Sequence, residues 1–189
     1  ETFVAEMRKS FDFTDQGPLK EVLGVEIDQT ADIIKVSHEN YIKNMASTFL
    51  KGEVNRKEHK TPACKELPDL INAAADSKLT PDSELLSKYR SLVGSLLYCA
   101  VTVRPDISYA VGMLSRALNK PTDRLYDEAK RVLTYLVQTA DMGLRYIRGS
   151  PERLYGMSHS DWSTRRSNSG FAIFLAGAAI CYLSKNQPT

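Results

Sequence analysis

The spacing of apolar and polar positions changes period along the chain, and each change marks a new kind of structure. Residues 1–10 carry Phe3, Val4 and Met7 on one helical face. Leu23-Gly24-Val25-Glu26-Ile27 and Ile33-Ile34-Lys35-Val36 read as two strands joined by the polar turn 28–32. Ser37 is placed to cap the next helix, whose apolar face is Tyr41, Ile42, Met45 and Phe49 and which Gly52 stops. Residues 53–79 are rich in charge, hold Pro62 and Pro68 and keep no sustained period, which predicts a long surface loop. Thr80-Pro81-Asp82 then predicts a helix start, with the Thr80 hydroxyl as cap and Pro81 in the first turn. Leu85, Tyr89, Leu92, Val93, Leu96, Leu97 and Ala100 recur at three- and four-residue steps. Arg104-Pro105-Asp106 breaks that helix and restarts it, with Ile107, Ala110, Val111, Leu114 and Leu118 on the next apolar face. Thr122 opens a third helix carrying Leu125, Ala129, Val132, Leu133 and Leu136, and the three should pack as one antiparallel bundle. After Gly143 the period drops from about 3.6 to 2, so 144–148, 154–159, 171–175 and 180–183 read as strands. A small antiparallel sheet with no covering helix is marginal alone. The expected class is α+β: a hairpin, a helical body, then a sheet.

Composition adds limits. The chain has 189 residues, 42% hydrophobic and 25% charged, which supplies a real core and argues against disorder. No uncharged apolar run approaches the ~18 residues that cross a bilayer, so no membrane partner is expected. Cys64, Cys99 and Cys181 are too few and too scattered for a disulfide framework, which points to an intracellular setting, cytoplasm or nucleus. The opening Glu1-Thr2-Phe3 lacks a Met and starts in mid-pattern, as a piece of a longer chain would. The net charge of +2 hides an asymmetry: residues 1–86 hold 11 Lys and Arg against 16 Asp and Glu, and residues 87–189 hold 14 against 7. A basic second half suits an anionic partner such as nucleic acid, and it equally suits ordinary surface charge.

Candidate chemistry is sparse. In Ser158-His159-Ser160-Asp161-Trp162, a strand would put His159 and Asp161 on one face, roughly 7 Å apart at ~3.3 Å rise per residue. That pair could bind a metal or relay a proton, or could simply end a polar strand. His59 and Cys64 do not by themselves make a zinc site, and Cys99 falls in an apolar helix. There is no phosphate-binding loop, no Gly-x-Ser-x-Gly elbow, no Cys-x-x-Cys and no Asp-Asp pair. Arg124, Lys130, Arg131, Arg145, Arg148, Arg153, Arg165 and Arg166 interleave with Tyr126, Tyr135, Tyr146, Tyr155 and Trp162. Such a set can hold phosphates and stack on bases. The same spacing also fits core tyrosines beside solvated arginines.

Several stretches carry a resemblance. Tyr89-Arg90-Ser91-Leu92-Val93-Gly94-Ser95-Leu96-Leu97-Tyr98, continuing through Thr102-Val103-Arg104-Pro105-Asp106-Ile107-Ser108-Tyr109-Ala110-Val111, resembles the Pol polyprotein of copia-type LTR retrotransposons just downstream of the reverse transcriptase palm. Phe11-Asp12-Phe13-Thr14-Asp15-Gln16-Gly17-Pro18-Leu19-Lys20 and Leu23-Gly24-Val25-Glu26-Ile27 are similar to the segment after that family's catalytic Asp-Asp hairpin. Ser158-His159-Ser160-Asp161-Trp162, Arg165-Arg166-Ser167, Gly170-Phe171 and Tyr182-Leu183-Ser184-Lys185 resemble the opening of its ribonuclease H domain.

The resemblance implies three parts. Residues 1–36 would be the end of the palm, with Leu23 and Gly24 in the primer-grip hairpin. Residues 37–142 would be the helical thumb and connection, and 143–189 a tether strand followed by the first strands of ribonuclease H. It implies an RNA/DNA template-primer or hybrid as partner, together with the rest of the Pol polyprotein. The nucleic-acid contacts would come from Leu23, Gly24, Lys130, Arg131, Arg145, Arg148, Arg165 and Arg166. The parent family uses Mg²⁺, but the palm carboxylates would precede Glu1, and the family's Ser-Asp-Ala-Asp-Trp places its first Asp ligand where this chain has His159. Asp161 matches the second Asp. An imidazole gives Mg²⁺ neither charge nor oxygen, so neither catalytic set is complete, and no metal or cofactor is expected in this chain. The expected function is a non-catalytic reverse transcriptase/ribonuclease H fragment that retains template-primer surfaces; the alternative is an interaction or structural protein derived from a decayed element.

Overall fold

Residues Tyr89, Leu92, Val93, Leu96 and Ala100 fall on one helical stripe, and burying that stripe organises the helical body. The computed structural model describes residues 2–14, 17–51, 59–78, 80–151, 153–161 and 167–187. It forms this stripe as α4 (Ser83–Thr102), after a short α1 (Thr2–Met7), α2 (Glu39–Phe49) and α3 (Leu67–Asp76) and before α5 (Ser108–Ser115) and α6 (Asp123–Gln138). A single turn of 3-10 helix, Pro105–Ile107, links α4 to α5. Ile42, Ile71, Leu92, Leu96, Leu114 and Leu133 meet in one core at 2% exposure or less. Inside it the Tyr89 hydroxyl donates to Leu114 O at 2.8 Å, which satisfies a buried polar group at the α4–α5 contact.

The expected loop at 53–79 is corrected over its second half, where α3 forms. Pro68 lies in the first turn of α3, a position that has no intrahelical N–H bond to lose, so it starts the helix there rather than breaking it. Leu67, Ile71 and Ala74 then supply a short apolar face, and all three are buried. Two caps also differ. Asp82, not Thr80, caps α4, its carboxylate accepting from the amides of Glu84 and Leu85 at 3.0 and 3.2 Å. Ser37 does not cap α2; the Glu26 carboxylate reaches over from the hairpin and accepts from the Glu39 amide at 2.8 Å. A charge at that helix end is stabilising because it faces unsatisfied N–H groups. Thr122 caps α6 as its position suggests, accepting from Leu125 N at 3.3 Å.

Two antiparallel sheets flank the helices. The first runs in the order β1 (Glu21–Val22), β2 (Val25–Gln29), β3 (Ile33–Ser37) and β4 (Leu144–Ile147). The strand after α6 thus pairs back onto the N-terminal hairpin, Ile33 opposite Ile147 and Val36 opposite Leu144. Gly143 makes this return possible: a Cβ there would stand 2.2 Å from Val36 O. The second sheet is a meander of β5 (Tyr155–Ser160), β6 (Asn168–Leu175) and β7 (Ala178–Asn186), with a bulge near Ile173 and Phe174. It is moored to the rest by Ile147 N donating to Ala176 O at 2.9 Å and the Tyr146 hydroxyl donating to Ala179 O at 2.8 Å.

Arg104, which marked a helix break in the sequence, is 1% exposed and acts as an internal staple. Its guanidinium donates to both Asp106 oxygens at 2.9 and 2.7 Å and to Thr139 O and Oγ1 at 3.0 and 2.7 Å. Tyr135 donates its hydroxyl to Asp106 at 3.0 Å. The ends of α4 and α6 are joined through one buried, satisfied charge.

Candidate nucleic-acid interface

Leu23 and Gly24 form the two-residue turn between β1 and β2, with φ of +52° and +76°. Positive φ at both centres matches the twist of the flanking strands. It strains the leucine, because a left-handed residue with a Cβ costs roughly 1–2 kcal/mol. Leu23 gains nothing from packing in return, being 85% exposed. The turn is held through its carbonyls. The Tyr98 hydroxyl, from α4, donates to Leu23 O. His38, buried at the start of α2, bonds Gly24 O through Nδ1 at 2.9 Å and Thr102 Oγ1 through Nε2 at 2.6 Å. The rings of His38, Tyr41 and Tyr98 pack against each other at 5.2 to 5.4 Å between centroids. Burial pulls the His38 pKa below its ordinary value, opposed by the Gly24 carbonyl and Glu26 and helped by Arg104.

The outer face of α4 runs beside this turn. Arg90, Ser91, Gly94, Leu97 and Val101 are exposed along it. Nothing lies within 4 Å of where a Gly94 Cβ would stand. A glycine inside a helix costs about 1 kcal/mol relative to alanine, and here no internal contact requires it. Arg90 is fixed at one end of the face by bonds to Leu118 O at 2.9 Å and Asn119 Oδ1 at 2.8 Å. Leu97, counted above with the recurring apolar positions, instead faces outward at 44% exposure. Sequence reasoning did not single out this face as a contact surface, because apart from Arg90 its residues are small or apolar. A glycine inside a strong helical period was the available signal.

The basic residues singled out in the sequence are dispersed. Lys130 pairs with Asp127 at 2.8 Å and stands 5.0 Å over the Tyr126 ring on α6. Arg131 reaches Thr61 O at 3.5 Å, and its Nε is buried with no hydrogen-bond partner among the described residues. Arg145 lies on β4 opposite Lys35, and Arg148 follows that strand, its amide donating to Asp32 O at 2.8 Å. Arg165, Arg166 and Trp162 lie outside the described residues. Tyr135 and Tyr146 spend their hydroxyls on Asp106 and Ala179 O, and Tyr155 stacks on Phe174 at 4.9 Å. These three are engaged in internal packing.

His59, one half of the pair set aside in the sequence, donates its amide to Gln138 Oε1 at 2.9 Å. Burial pushes the Cys64 thiol above its ordinary pKa, aided by Glu128. Cys99 is fully buried in the core, and burial pushes its thiol up to about 12.

His159 and Asp161 do share a site. With Tyr109, Asn168, Tyr182 and Ser184 they line a cleft of about 510 Å³ between the second sheet and the start of α5. The Asp161 carboxylate accepts from the Asn168 amide, and its own amide donates to Asn168 O at 3.0 Å, so it closes the β5–β6 end. Burial, then the Asp161 charge, raises the Tyr109 pKa. Burial likewise raises that of Tyr182, whose hydroxyl is enclosed with no hydrogen-bond partner among the described residues. Mg²⁺ requires several hard oxygen ligands in octahedral array. One carboxylate committed to a backbone amide, beside an imidazole, does not fit that ion. Among the described residues no three His, Cys, Asp or Glu side chains are grouped to hold a metal.

Comparison with known proteins supplies the family. The chain is 33% identical to an uncharacterised mitochondrial protein of Arabidopsis thaliana, over 98% of this chain and 75% of that protein. It is 35% identical to a transposon Ty5-1 protein of Saccharomyces cerevisiae, over 95% of this chain and 58% of the relative. It is 32% identical to the retrovirus-related Pol polyprotein from transposon TNT 1-94 of Nicotiana tabacum, over 96% of this chain but 14% of that polyprotein. The chain belongs to the copia-type retrotransposon Pol family. It corresponds to a segment of the Pol polyproteins, spanning 58% of the yeast relative and a small part of the tobacco one. No protein-family model matches the chain. No solved structure matches it either. Among the described residues no helix is long and apolar enough to cross a membrane.

Proposed function

We propose that this Pol segment is where a reverse transcriptase ends and ribonuclease H begins, and that it holds the template-primer duplex without performing chemistry itself. The observation that carries the reading is the open face of α4 at Gly94, beside the exposed Leu23-Gly24 turn. A helix that gives up stability for a bare backbone position does so to let something approach closely. A nucleic-acid duplex is a fitting partner, because its wide, shallow A-form minor groove offers sugar surface to small and apolar side chains and 2′-hydroxyls to polar ones. Leu97 and Val101 would meet sugars, Ser91 and Arg90 the groove edge, and Leu23 the primer strand.

The chemistry is assigned elsewhere in the polyprotein, since this chain has no Asp-Asp pair and its His159–Asp161 cleft does not suit Mg²⁺. The rest of Pol is accordingly the second partner. Binding of an RNA/DNA hybrid at graded salt tests the reading. Each phosphate neutralised contributes a slope of about −0.9 in log affinity against log salt, so a duplex-holding chain shows a clear negative slope. An interaction protein that does not recognise nucleic acid shows no hybrid binding at any salt.

A further inference from the structure

Both carbonyls of the strained turn are held by side chains rooted in the helical body, and one of these is a histidine that the duplex reading leaves without a role. Gly24 O can only accept, so His38 Nδ1 carries a proton and donates to it. On the far side of the ring, Thr102 Oγ1 lies 2.6 Å from Nε2 and 2.6 Å from Tyr98 O. A neutral ring accepts the Thr102 hydroxyl at Nε2. A charged ring donates to Thr102, whose hydroxyl then turns to Tyr98 O. In either state the imidazole spans the gap between the turn and the last turn of α4.

We infer that His38 is the positioning residue of this interface, clamping the Leu23-Gly24 turn to the C-terminal end of α4 and so setting the turn against the helix's open face. This rests on the reading of that face as the duplex-binding surface. The physical need is plain: a leucine at φ +52° with 85% of its surface exposed stays there only if its surroundings over-determine it. Tyr98 holds Leu23 O, and the ring of Tyr98 is in turn packed on His38 and Tyr41. His38 thus supports the turn directly at Gly24 and indirectly at Leu23. The charged groups acting on the ring are Glu26 from β2 and Arg104 from the end of α4, with the Tyr41 and Tyr98 rings against it from α2 and α4. Burial, helped by Arg104, outweighs the Gly24 bond and Glu26 and holds the ring's pKa below its ordinary value.

The test uses the full 189-residue chain in four forms, unaltered, His38→Leu, His38→Gln and Thr102→Val, with two readouts. Hydrogen exchange follows the amides of residues 22–27 against those of α6, and fluorescence anisotropy follows binding of an RNA/DNA hybrid. Leucine fills the space without bonding, whereas glutamine can donate to Gly24 O and accept from Thr102. His38→Leu should accelerate exchange in 22–27 selectively and weaken hybrid binding about tenfold, equivalent to roughly 1.4 kcal/mol. His38→Gln should restore both, which a purely space-filling role would not require. Should His38→Leu fail to fold, Thr102→Val should still loosen the turn, because it removes the bond that anchors the ring to α4, with little change of volume and with the Gly24 bond left in place. Unchanged exchange at 22–27 in His38→Leu, or in Thr102→Val where that variant carries the test, overturns the clamp, as does a glutamine variant as loose as leucine. A loosened turn with undiminished affinity overturns the link to binding. If the unaltered chain binds no hybrid, the duplex reading fails, while the exchange data still decide whether His38 holds the turn.

Discussion

The helical body and the second sheet have equally regular patterns, yet they bury their apolar positions to very different degrees. In the body, α2 to α6 share one core, and even its charge at Arg104 is enclosed and paired. In the second sheet β5 is exposed at every position, and only Ala178 and Ala179 are fully buried. Phe171 and Leu183, paired across β6 and β7, are 39% and 48% exposed. Periodicity records which face an element intends to bury; whether that face is covered depends on neighbours.

Substitutions should expose this contrast most strongly. Arg104→Met strands Asp106 and the Thr139 and Tyr135 groups around it, and should cost about 3 kcal/mol or more in urea denaturation. Leu183→Ser, at a half-exposed position of β7, should stay within about 0.5 kcal/mol. Equal losses at the two sites would mean that the sheet is as tightly integrated as the body. Hydrogen exchange sharpens the same contrast without mutation: amides in 85–137 should exchange at least about a hundredfold more slowly than those in 154–184. Similar protection would show that the second sheet has found a cover, for instance a second copy of itself.

Much of the helical body was legible in the sequence because each helix carries its own period and a local start or stop signal. Thr122 and the stripe from Tyr89 to Ala100 are examples. The failures share a cause, which is that the deciding partner is distant. Glu26 caps α2 from across the hairpin, and β4 joins a strand more than a hundred residues earlier. The α3 helix was hidden because Pro68 was weighed as a breaker rather than as a first-turn residue. Of the interface, family likeness singled out Leu23 and Gly24 but the pattern read them as the start of a strand, so the turn they form and the Gly94 face emerged only from geometry. His38 carried no signal, since its partners lie 14 and 64 residues away.

A smaller difference between the regions concerns pH. Burial holds the folded His38 below its ordinary value of 6.5, so the unfolded chain takes up this proton first. Its contribution to stability is therefore complete above pH 6.5 and is lost as pH falls from there toward the folded value. Urea midpoints between pH 7.5 and 5 should decline for the unaltered chain and decline less for His38→Gln. Equal slopes would remove His38 as the source.

The central claim is that the bare position on α4 exists for a duplex, and Gly94→Ala tests it with two readouts of opposite sign. An added methyl meets nothing within 4 Å, so helix propensity alone should stabilise the fold by about 1 kcal/mol. The same methyl intrudes where the groove would sit, so affinity for an RNA/DNA hybrid should fall severalfold, with a larger fall for Gly94→Leu. A more stable chain that binds the hybrid more weakly is the predicted result. A more stable chain whose hybrid affinity is unchanged through both substitutions would contradict the account.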